Sequence, residues 1–139
     1  MTEIEELLED IKTNGMIRRL DELGRIVIPI EYRYNKVEDG QTKVKVYNIR
    51  KYVIIEILDD QNIEGTRKFD DLGRVTINKE IRDTLNWKQK DKIEIWNYGK
   101  YFILKKANLG CVFCNNETEL ISYKQELVCE KCRKELSTM

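Results

Sequence analysis

The sequence contains no histidine, which removes the commonest general acid or base near neutral pH and makes most hydrolytic triads impossible. Its seven glycines form no glycine-rich phosphate loop, so a nucleotide-handling enzyme has no visible cradle. These two absences imply a protein that is not an enzyme, and no small-molecule substrate is indicated. No apolar run approaches the roughly 20 residues that span a bilayer. The N-terminus opens on acidic residues instead of a basic and then apolar leader, so a cytoplasmic, nucleoid-associated protein without membrane contact is expected. The chain also lacks net charge, with 25 basic and 25 acidic side chains, and so has no long-range field to steer an anionic partner.

What is present is distributed unevenly. Hydrophobic residues make up 41% of the 139 positions, enough for a globular core, and charged residues 36%. Residues 1–14 carry five acids and one lysine, whereas residues 15–107 carry twenty basic and fifteen acidic side chains. The neutral total therefore conceals an acidic start and a basic body.

That body is duplicated. A shift of 49 residues, without a gap, places Arg18-Arg19-Leu20-Asp21-Glu22-Leu23-Gly24-Arg25-Ile26-Val27-Ile28 on Arg67-Lys68-Phe69-Asp70-Asp71-Leu72-Gly73-Arg74-Val75-Thr76-Ile77. Lys43-Val44-Lys45-Val46-Tyr47-Asn48 falls on Lys92-Ile93-Glu94-Ile95-Trp96-Asn97, and Lys51-Tyr52-Val53-Ile54 on Lys100-Tyr101-Phe102-Ile103. Each copy reads as strand, turn, strand, short helix, strand, turn, strand. The Asp-x-Leu-Gly segments suit tight connections, and Val44, Val46, Ile93 and Ile95 alternate with polar residues as half-buried strands do. Asn78 is placed to cap the helix of the second copy, where the first has Pro29. Asn97-Tyr98-Gly99-Lys100 reads as a hairpin turn. Its counterpart Asn48-Ile49-Arg50-Lys51 has arginine in place of glycine, which predicts a looser or differently shaped turn. The predicted division is an acidic helix over 1–14, repeats over 15–58 and 59–107, and a separate module over 108–139.

Leu20-Asp21-Glu22-Leu23-Gly24-Arg25-Ile26-Val27-Ile28-Pro29-Ile30-Glu31, preceded by Gly15-Met16-Ile17-Arg18-Arg19, resembles the AbrB family of bacterial transition-state regulators. The second copy, through Asp91-Lys92-Ile93-Glu94-Ile95 and Ile103-Leu104-Lys105-Lys106, is similar to the back half of the same motif. The resemblance implies a mainly β fold with short helices: the swapped-hairpin AbrB-like β-barrel, shared with MazE-type antitoxins and here formed by tandem repeats, as in MraZ-like proteins. It also implies double-stranded DNA as partner, with Arg18, Arg19, Arg25, Arg33, Arg67, Lys68, Arg74 and Arg82 as the DNA-binding residues. Arginine suits that role because its fork of donors grips phosphate or the acceptor edge of guanine at any working pH. The plainer reading of the same arginines is a solvated surface balanced by Asp21, Glu22, Asp70 and Asp71. Asp21 and Asp70 themselves are read as orienting arginines or capping turns.

Cys111-Val112-Phe113-Cys114 and Cys129-Glu130-Lys131-Cys132 form two C-x2-C pairs separated by fourteen residues. Four thiolates so spaced close a tetrahedron around Zn²⁺, and a segment this short needs such a staple to fold. One structural zinc per chain, held by Cys111, Cys114, Cys129 and Cys132, is therefore expected. The segment resembles a treble-clef or zinc-ribbon finger used for oligomerisation or partner docking, with a dimer as the expected assembly. A redox dithiol pair and plain core cysteines are the other readings of these four residues.

Ile4, Leu7, Leu8 and Ile11 recur at helical spacing among acids, which predicts an amphipathic helix over 2–13. It packs on the body or, in a sharper reading, competes with DNA for the basic face. The paired aromatics Tyr47, Tyr52, Trp96 and Tyr101 are read as packing residues, with base stacking as the alternative. A transcriptional regulator is the leading expectation. A MazE-like antitoxin or interaction protein that also binds DNA is the alternative.

Overall fold

The computed structural model of the chain describes residues 2–11, 14–107, 119–123 and 126–137. They fall into two units, 1–106 and 107–139.

The first unit is mainly β with short helices, and its two repeats have the same order of elements. The acidic helix α1 (Glu3–Asp10) comes first. The first copy then runs β1 (Met16–Arg19), β2 (Arg25–Val27), α2 (Ile30–Arg33), β3 (Lys43–Ile49) and β4 (Tyr52–Ile57); the second runs β5 (Arg67–Lys68), β6 (Arg74–Thr76), α3 (Lys79–Leu85), β7 (Lys92–Tyr98) and β8 (Tyr101–Lys106). Six strands make a curled antiparallel sheet in the order β1-β7-β8-β4-β3-β5, and β2 pairs with β6 in a separate two-stranded ribbon.

The copies are interlocked. The Asp-x-Leu-Gly turns do not close hairpins, because β1 pairs with β7 and β5 with β3, each across to the other copy. The central pair β4–β8 sets Ile54 opposite Ile103, and the ribbon sets Ile26 opposite Val75. Both pairs join positions equivalent in the repeat, so an approximate twofold axis passes through them.

Alternation along the strands sends side chains to two faces. Val53, Ile55, Phe102 and Leu104 join Leu20, Ile26, Phe69, Val75 and Ile93 in the main core, which the ribbon closes. Ile54, Trp96, Tyr101 and Ile103 face the other way and pack under Ile4 and Leu8 of α1. Cover on both faces explains why the central strands read as continuous apolar runs, Val53-Ile54-Ile55 and Tyr101-Phe102-Ile103-Leu104, all buried. Tyr47 and Tyr52 are half-buried in the second cluster, so the four paired aromatics are packing residues and not a stacking platform. The helix α1 lies on the sheet face opposite the ribbon. Thr2 caps it, its hydroxyl accepting from the Glu5 N–H at 3.3 Å.

Three departures from the sequence reading have local causes. Asn78 holds the N-cap position of α3 but makes no capping bond, because its carboxamide oxygen accepts from Arg67 Nε at 3.0 Å. The β3–β4 turn is not looser than the β7–β8 turn: Arg50 takes φ +53°, close to the +57° of Gly99. Finally, β5 pairs over two residues where β1 pairs over four. At β1 the backbone of Gly15 approaches Ile95 so closely that an added Cβ would lie 2.4 Å from the Ile95 carbonyl oxygen, and Glu94 accepts the Gly15 N–H at 2.7 Å. The equivalent positions are Glu64, which has a Cβ, and Lys45, which has no acceptor.

In the second unit β9 (Leu120–Tyr123) and β10 (Glu126–Cys129) form an antiparallel hairpin that leads directly into α4 (Glu130–Ser137). The helix begins at Glu130, which places Cys132 in its first turn.

Candidate nucleic-acid interface

The eight basic residues singled out in the sequence separate into two groups by what their guanidinium or ammonium groups touch. The first group centres on the ribbon. Ile26 and Val75 point inward and are buried, so their neighbours Arg25, Val27, Arg74 and Thr76 line the outward face, with Arg25 opposite Thr76 and Val27 opposite Arg74. From strand rise and spacing, the Arg25 and Arg74 Cα atoms are about 8 Å apart.

Each of these arginines is oriented by an aspartate of its own turn. Arg25 Nε donates to Asp21 Oδ2 at 2.7 Å and Arg74 Nε to Asp70 Oδ2 at 2.6 Å. The other carboxylate oxygen accepts two backbone N–H groups, those of Leu23 and Arg25 or of Leu72 and Arg74, at 2.8–2.9 Å. Each aspartate thus closes the turn and aims the arginine at once. Burial alone would raise these carboxyl pKa values. The backbone and guanidinium hydrogen bonds outweigh it and hold Asp21 and Asp70 below the usual carboxylate range. With Nε committed, the terminal amino groups of both arginines have no partner among the described residues and remain available to an outside acceptor. Their side chains are equally accessible, at 27% and 26%.

Arg18 is half-buried and its Nη1 donates to the Ile17 carbonyl at 2.8 Å; Arg19 is exposed and reaches the Lys90 carbonyl at 3.0 Å. Their counterparts Arg67 and Lys68 are both exposed. These four residues occupy the two swapped strands β1 and β5, on the outer edges of the sheet.

Arg33 and Arg82 belong to the second group. Arg33 is only 9% exposed; its Nε donates to the Ile28 carbonyl at 2.7 Å and its Nη1 pairs with Asp39. Arg82 Nε donates to the Ile77 carbonyl at 2.9 Å. Each guanidinium lies against the turn glycine of the other copy, so that a Cβ on Gly73 would lie 2.2 Å from Arg33 Cζ, and one on Gly24 2.4 Å from Arg82 Cζ. Both glycines have φ near +75°. This is the reason the turns need glycine: it gives the left-handed backbone and leaves room for the partner's arginine. Arg33 and Arg82 therefore pin one copy to the other.

Sequence reasoning missed Thr76, which shares the ribbon face with Arg25, and the exchange of Glu94 for Lys45 between copies. The second was readable in the repeat alignment as a reversal of charge at an otherwise matched strand position.

Of the four cysteines, Cys111 and Cys114 lie outside the described residues. Cys129 ends β10 and Cys132 lies in the first turn of α4; both are buried, and the Cys132 N–H donates to Cys129 Sγ at 3.4 Å. Two cysteines set at the end of a hairpin and in the first turn of the following helix are spaced as two of the four ligands of a tetrahedral Zn²⁺ site can be. Among the described residues no group of three or more metal-binding side chains comes together, nor is any helix long and apolar enough to cross a membrane.

Comparison with protein-family models, curated proteins and solved structures gives no match.

Proposed function

We propose that the chain is a non-enzymatic, sequence-dependent double-stranded DNA-binding regulator of transcription, built like the AbrB swapped-hairpin body from one polypeptide. The observation that carries this reading is the ribbon face, where Arg25 and Arg74 stand on either side of a pseudo-twofold axis, each aimed by an aspartate and each with free terminal donors. The crossed pairing of β1 with β7 and β5 with β3 supports it, as the within-chain counterpart of two chains exchanging hairpins. Because about 8 Å separates the two arginines, and not the roughly 34 Å of a helical turn, both address the same groove, with Arg18, Arg19, Arg67 and Lys68 reaching flanking phosphates. Arg33 and Arg82 take no part in the contact and hold the two halves together.

The second unit, on this reading, is a structural zinc module with Cys129 and Cys132 as two of its ligands. Cys111 and Cys114 complete the sequence pattern. Bound zinc supplies folding energy and cross-links the hairpin to the helix, and self-association or partner docking is the role assigned to the module.

The test is binding of the full chain to random and selected duplexes at several salt concentrations. With about five cations on phosphates, log K falls against log[salt] with a slope of about −4.5. A flat response overturns the reading.

A further inference from the structure

Shortening of β5 leaves a gap that the first copy does not have. Where β1 lies along β7 as far as Met16, the corresponding stretch before Arg67 leaves β3, opening a notch of about 580 Å³ between the two. Its lining includes Lys45, Thr66, Arg67, Lys68, Thr76 and Asn78, with no carboxylate. Arg67 and Lys68 border it without an ion-pair partner among the described residues, while the ammonium of Lys45, the third cation of the lining, lies over the Tyr47 ring. Asn78 holds Arg67 by Nε, so that its terminal amino groups have no partner among the described residues. The Thr66 hydroxyl is buried and, among the described residues, is the one buried side-chain polar atom with no hydrogen-bond partner. Leaving such a group unpaired costs about 1–3 kcal/mol. The first copy has Ile17 there, on a fully paired strand.

The geometry points to an oxyanion subsite in this notch that takes a phosphate group, with the Thr66 hydroxyl, Arg67 and Lys68 as its donors. Two positive charges attract a dianion, the hydroxyl gains an acceptor, and the held guanidinium presents its fork. The phosphate belongs either to a bound duplex, since Thr76 faces Arg25 across the ribbon, or to a small phosphorylated ligand. The duplex source rests on the function proposed above; the ligand source does not.

The repeat supplies an internal control, because Arg18 is the counterpart of Arg67 without the notch. Inorganic phosphate and pyrophosphate are titrated into ¹⁵N-labelled full-length protein at low salt, and duplex affinity is measured in parallel. Saturable shifts at the amides of residues 65–68 and not at the equivalent amides of residues 16–19, weakened about fivefold or more by Thr66→Val and by Arg67→Ala, establish a free-phosphate site. If phosphate alone binds weakly but Thr66→Val lowers duplex affinity about fivefold, the site takes a DNA phosphate. Shifts scattered over surface lysines, with no duplex effect of Thr66→Val, overturn the proposal. Should the wild type bind no duplex, the regulator reading fails while the phosphate titration still decides this one.

Discussion

Arg25 and Arg33 stand in the same copy and carry the same charge, yet one presents its terminal donors to solvent and the other is closed into the body. The difference is made by neighbours: Asp21 takes one nitrogen of Arg25, whereas Ile28, Asp39 and Gly73 together surround Arg33. Arg33→Ala should therefore destabilise the fold by about 2–3 kcal/mol, since it strips a partly buried ion pair and a buried carbonyl. Arg82→Ala should cost about 1 kcal/mol, because the position equivalent to Asp39 is Lys88 and there is no paired carboxylate to orphan. Urea unfolding of the two variants checks the order. Arg25→Ala and Arg74→Ala should leave unfolding nearly unchanged and weaken duplex binding by about tenfold each, read by fluorescence anisotropy. Acid adds a second test. Asp21 and Asp70 have lowered folded-state pKa values, so their contribution is fully present above the unfolded aspartate pKa of about 3.9 and is lost as pH falls through the folded values. Asp21→Asn with Asp70→Asn should flatten the dependence of stability on pH below about 4 while leaving the neutral-pH curve parallel to wild type.

At the scale of the element, the helix α1 and the two long hairpins follow from periodicity, and the turns from their Asp-x-Leu-Gly residues. Arg50 shows where that reading stopped. A turn with arginine at φ +53° keeps the shape of the glycine turn at a backbone cost, so Arg50→Gly should raise stability by about 1 kcal/mol, measurable as a higher melting temperature. Removing residues 2–11 should expose Ile54, Trp96, Tyr101 and Ile103, lower stability and promote self-association visible by light scattering, with duplex affinity unchanged because α1 lies on the far face. The elements were legible because each is coded by residues a few positions apart. Their partners were not. Nothing local in Met16–Arg19 distinguishes pairing with β2 from pairing with β7, and nothing local in an arginine reveals that a glycine from the other copy lies under it. The aspartates at Asp21 and Asp70 were readable as turn-closing and arginine-orienting because both acts involve the same short loop.

For the whole molecule, all strand pairings among the described residues lie within one chain. The pseudo-twofold also differs from a true one: Lys45 against Glu94, and Thr66 against Ile17, make the two ends of the six-stranded sheet chemically unlike. The crossed strands have one more consequence, in time. β1 cannot find its place until β7 exists, so during synthesis Met16–Arg19 waits unpaired while most of the first unit is made, and the last stage of folding is the insertion of an early strand beside a late one. Contacts so distant along the chain slow folding, and a nascent chain halted before Lys92 would still expose the edge meant for its own later half. Such a chain is an invitation to pair with a neighbouring copy emerging from the same message.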